Sequence, residues 1–209
     1  MYAYCGNNPV SRADSKGEWW GIAILAVLFV GYIAVNAGLA ESNYNNNSQL
    51  DSSLDTSTEN RIIDSQNSSN IEQFDYGFFS ASYNGCEAIA IHNIKVLLGK
   101  KSSLSETIGE IQATGGMWLL GVFGSNPYRI PNVLSSYGIP YSAIYSPTEM
   151  TAEGLYVISY WNKNNAGIHT VAIKYDENGY YAYNKGKNKT SNPSTYASNF
   201  ICGYYMGKG

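Results

Sequence analysis

Hydrophobic and polar positions divide the chain into three zones with different periods. Residues 19–40, WWGIAILAVLFVGYIAVNAGLA, run for 22 positions without a charge. At about 1.5 Å rise per residue, such a helix reaches across a hydrocarbon core of roughly 30 Å. Trp19 and Trp20 at its entrance, with Tyr32 further in, suit an interfacial anchor. A membrane-spanning helix is the leading reading. A cleaved signal peptide, with VNA at 35–37 as its cleavage site, and a buried core helix are the rivals. From 41 to 73 the chain is rich in serine and asparagine with few large apolar residues, which predicts a disordered linker.

Apolar positions return beyond Phe74, first at helical spacing and then in alternation. Ile89, Ala90, Ile94, Leu97 and Leu98 predict a helix over 86–98, capped by Asn84 or Gly85 and stopped by Gly99. A second helix is predicted over 104–113, ended by Gly115-Gly116. A third runs from Pro127 to Tyr137, with Asn126 as cap and Gly138 as stop. The period then changes to two: 154–161, 168–175, 179–184 and 200–206 read as strands, with DENG at 176–179 as a tight hairpin turn. Helices followed by an antiparallel sheet make an α+β domain over 74–209, and about 135 residues suffice for one core.

Composition narrows the function. A net charge of -3 without a basic block, and no finger-like Cys/His spacing, exclude nucleic acid as a partner. Cys5, Cys86 and Cys202 are too few and too scattered for a disulfide framework or a zinc site. One Cys86–Cys202 bridge stays open. Neither a metal nor a cofactor is implied. Arg12 and Lys16 precede the apolar segment and the next basic residue is Arg61, so the positive-inside rule puts the carboxy-terminal part outside the cytoplasm.

Cys86 is the residue with chemistry to offer. At a helix start, partly unsatisfied N–H groups lower a thiol's pKa and offer donors to a developing oxyanion. A packed structural cysteine is the alternative. The chain has two histidines. His92 lies on the same helix, about 9 Å up the axis from Cys86, too far to act as its base. His169 begins a strand. In a ribbon turning at 177–178, positions summing to roughly 354 face each other, which brings Asn184 to the 168–170 region, where its side chain can orient the imidazole.

Cys, His and Asn in this order, in GCEAIAIHNIKVLLGK, GIHTVAI and YYAYN, resemble the papain-like cysteine peptidase superfamily, in particular its compact bacterial branch with bacteriocin-leader peptidases. The resemblance covers roughly 74–206 and implies Cys86 as nucleophile, His169 as general base and Asn184 as orienter. Family members usually carry a Gln before the cysteine as an oxyanion donor; Ser80, Ser82 and Asn84 stand there instead. Asn84 is the substitute, beside the Cys86 backbone N–H.

YAYCGNNPVSRADSKG, residues 2–17, resembles the end of the Rhs repeat-associated core, with Ser15 where a proline is usual. It implies a segment 1–18 that closes such a core, followed by a toxin effector. The implied protein is a membrane-associated cysteine hydrolase acting on a peptide or protein through an acyl-enzyme. Its domain would be extracytoplasmic or delivered to a target cell and met there by a cognate immunity protein. A deamidase or transglutaminase-like enzyme would use the same triad, and an inactive membrane-tethered binding module would use none of it.

Overall fold

The structure is a computed structural model that describes residues 18–53, 58–163, 167–185 and 192–208. Cys5 and the Rhs-like segment, but for Glu18, lie outside the described residues. The chain divides into two compact units at Leu39/Ala40.

Helix α1 spans Glu18–Ser52 and contributes to both units. In the first unit it is an exposed apolar rod, with Leu25, Val27, Phe29 and Val30 each more than half exposed. Among the described residues, one helix is therefore long and apolar enough to cross a membrane.

The second unit is α+β, with helices first and an antiparallel sheet last. α2 (Ser69–Glu72) leads into a two-stranded ribbon, β1 (Asp75–Tyr76) and β2 (Phe79–Ser80). The single turn α3 (Ala81–Asn84) precedes α4 (Cys86–Leu97), which is followed by α5 (Leu104–Ala113) and α6 (Ile130–Ser136). β3 (Ser142–Ile144), β4 (Gly154–Asn162), β5 (Gly167–Asp176), β6 (Gly179–Tyr183) and β7 (Phe200–Tyr205) form an antiparallel sheet ordered β3-β7-β4-β5-β6. α5 starts at a serine cap, with the Ser103 hydroxyl accepting from the Glu106 N–H. The third predicted helix is split. Asn126 caps a tight turn at Pro127–Arg129, and α6 follows directly at Ile130 with Pro131 in its first turn, where the missing N–H cannot continue the ladder of the preceding turn. The hairpin turn is as expected: Asp176 pairs with Gly179, and the Asp176 carboxylate accepts from the Asn178 N–H.

Side-chain alternation gives the sheet two buried faces. Leu155, Val157 and Ala172 join the helices' Ala88, Ile89 and Ile94 in one core. Ile158, Val171 and Ile173 form the other, with Met150 and Tyr196.

The expected linker differs most from the structure. α1 runs on to Ser52, and its Asn43 and Asn47 are buried because each finds partners. Asn47 exchanges two hydrogen bonds with the Asp75 backbone (2.7 and 2.8 Å), and Asn43 donates to the Gly77 carbonyl at 3.0 Å. Asp51 accepts from the N–H groups of Thr58 and Ser105. Ile63 and Ile71 enter the helix-side core, and the Asn93 amide bonds Ile63 in both directions. The folded unit thus begins at Ala40, not near Phe74. Polar side chains substitute here for the apolar area that disorder arguments count.

Candidate active site

α4 begins at Cys86 because Gly85 lets the chain turn sharply out of α3. A Cβ at residue 85 would lie 2.6 Å from the Ala81 carbonyl oxygen. Gly85 is the N-cap and offers no side chain, so no capping side chain engages the helix start at Cys86 and Glu87. Cys86 and Cys202 are both free thiols.

The Cys86 thiol lies against β5. It donates to the Ile168 carbonyl at 3.9 Å and lies beside Thr170. Thr170 in turn bonds Ser159 at 2.9 Å across β4–β5. Burial pushes the Cys86 thiol up, while Thr170 and the N–H groups at the helix start act the other way. The expected lowering by the helix start is outweighed by desolvation.

His169 belongs to the other face of the strand. It pairs with Tyr160 and meets that ring edge-on, with centroids 5.7 Å apart, and Tyr160 packs on the second core. Its Nε2 lies 2.8 Å from the Asn184 main-chain oxygen. A carbonyl only accepts, so Nε2 carries the proton and Nδ1 of the neutral ring holds the lone pair. Burial lowers the His169 pKa, and the Asn184 carbonyl partly offsets this. Among the described residues no hydrogen bond joins the Cys86 thiol to the His169 ring.

Asn184 does hold the imidazole, but through its backbone and not its amide. The side chain turns to Gln66: Oδ1 accepts from the Gln66 N–H at 2.8 Å, and Nδ2 donates to Oε1 at 3.3 Å. Gln66 Nε2 also donates to the Ser82 carbonyl, tying the segment before α2 to the turn before α4. Asn184 has φ 62, a left-handed backbone that asparagine tolerates better than most residues. The amide of Asn84 is engaged elsewhere, donating to the Gly121 carbonyl at 2.6 Å. The helix-start N–H groups are then the better oxyanion donors. His92 is buried, bonded to the Arg61 carbonyl and the Ser102 hydroxyl, and is structural.

Three participants went unread in the sequence. Thr170 stands beside His169 in the histidine motif but lies by the thiol. Gln66 lay in the supposed linker. Glu87 is 1% exposed, and its Oε1 has no hydrogen-bond partner. Burial holds its carboxyl well above the usual range, with the neighbouring Cys86 adding to the effect. A charged residue directly after a cysteine on the buried side of a helix was the available signal. The chain matches no protein-family model and no curated protein.

Proposed function

We propose that the second unit is a papain-like cysteine hydrolase, membrane-attached through residues 19–40 and carried as the effector of an Rhs-type toxin. The supporting observation is the approach of the Cys86 thiol to β5 at Ile168, one residue before an imidazole whose tautomer the Asn184 carbonyl sets. The reading starts from a neutral pair, with the thiol pushed up and the imidazole down. The thiol exchanges its bond to Ile168 for His169 Nδ1 and gives up its proton there as sulfur attacks the amide carbonyl. Helix-start N–H groups receive the oxyanion. The amine leaves with the proton from Nδ1, and water, deprotonated by the same nitrogen, releases the acid from the thioester. Catalytic contacts often tighten only with substrate bound.

An inactive binding module is the second reading, favoured by the raised thiol and by the absence, among the described residues, of a thiol–imidazole bond. Alkylation of the full chain by iodoacetamide across pH separates the two. Under the hydrolase reading Cys86 reacts ahead of Cys5 and Cys202, and His169→Ala slows it. A Cys86 that reacts no faster than Cys5 and Cys202, and no more slowly after His169→Ala, rejects the enzyme.

A further inference from the structure

Loop 117–125 presents an apolar surface that the fold does not cover. Phe78, Trp118, Leu119, Val122 and Phe123 are 59, 51, 56, 43 and 67% exposed. Neither YGFFSASYNGC at 76–86 nor GGMWLLGVFGSNPY at 115–128 carries a charge. The exposure is built in. Met117 bridges Ser125, and the Trp118 N–H donates to the Gly124 carbonyl, closing the loop at its neck. Leu119 and Leu120 hold φ 42 and 58, a costly backbone for large side chains. Gly77, at φ 64, lets the ribbon press on the loop: a Cβ there would lie 2.0 Å from the Leu120 oxygen.

The position of this surface suggests what covers it. Asn43, which holds Gly77, lies three residues past Ala40, where the uncharged span ends and the polar run begins. That is about 4.5 Å of helix rise. We propose that the loop and Phe78 dock shallowly into the interfacial zone of a lipid bilayer, a composition of Trp, Phe and Leu suited to that depth. Because Asn84 bonds Gly121 in the same loop, two residues before Cys86, docking sets the thiol at the membrane surface and selects bonds of membrane-proximal chains.

The proposal rests on the membrane-spanning reading of residues 19–40. Its test uses the full chain in phosphatidylcholine nanodiscs, with Trp19, Trp20 and Trp161 changed to Phe so that Trp118 reports alone. Lipids brominated high on the acyl chain should quench Trp118 and its emission should shift to the blue. Phe123→Asp should abolish both in protein that still copurifies with the discs. Unquenched Trp118 in discs that hold the protein overturns the docking and leaves the anchor standing. A chain that never enters the discs removes the anchor, and the docking with it. Trp118 shielded from iodide by an apolar peptide, but unquenched by bromolipid, makes the loop a peptide-binding wall and likewise overturns the proposal.

Discussion

The two faces of β5 treat their reactive groups differently. On the helix side, Cys86 donates to the Ile168 carbonyl beside Thr170, whose hydroxyl bonds Ser159. On the other, His169 meets the aromatic edge of Tyr160 and one backbone carbonyl. The thiol side also buries Glu87, whose Oε1 has no hydrogen-bond partner. The imidazole side leaves one nitrogen uncommitted among described contacts. Desolvation acts on both and favours the neutral forms. Proton transfer between the two neutral groups requires one of them to move, and with the imidazole held by Asn184 that burden falls on the thiol.

The comparison breaks most visibly at Asn184. We expect Asn184→Ala to lose the Gln66 bonds and strain the left-handed backbone, costing about 1–3 kcal/mol. Asn184→Gly should keep the backbone and its carbonyl on His169. Denaturant melts and turnover on the two variants separate the roles: if Gly restores turnover beyond its gain in stability over Ala, the carbonyl orients the ring. Equal turnover in both would assign Asn184 to stability alone.

Glu87 tests the thiol side through pH. Its native value lies above the unfolded one, so the native chain keeps a proton that the unfolded chain releases. That contribution is full below about pH 4.3 and is lost as pH rises towards the native value. Glu87→Gln should therefore raise Tm at pH 7 by on the order of a few degrees and change it little at pH 4. His92 and His169, both lowered by burial, give the opposite slope: stability falls as pH drops below about 6.5. A pH 7 melt left unchanged by Glu87→Gln would mean the carboxyl is solvated.

Thr170→Val should have the smallest effect. Removing the hydroxyl lifts the thiol further, so iodoacetamide labelling of Cys86 at pH 8 should slow by about two- to threefold, less than a full pKa unit's worth. Faster labelling would show that Thr170 restrains the thiol instead of stabilising its ionised form.

Residues with strong local signals were legible. The α5 limits and the Cys86 start of α4 match the reading, as do the four long strands, because a capping serine, glycine stops and alternation act within a few residues. β3 and the ribbon β1–β2 are two or three residues long, too short to show a period. The segment 41–73 was opaque for another reason. Asn43, Asn47 and Gln66 find their partners 16 to 118 residues away, and no composition rule anticipates a hydrogen bond between distant positions.

The sequence by itself determined the order of elements, the α+β class, the apolar helix and the placement of Cys86 at a helix start. Those follow from spacing, caps and turns, which are local. Only the tertiary structure decided which side chain of IHT meets the thiol. The ribbon pairs positions that sum to 355, as in Ala172 with Tyr183, not the 354 that puts Asn184 opposite Thr170. Asn184 then leaves the strand on a left-handed turn. Side chains alternate with a period of two, so neighbours on β5 face opposite cores; Cys86 bonds the Ile168 carbonyl beside Thr170, and the His169 ring meets Tyr160.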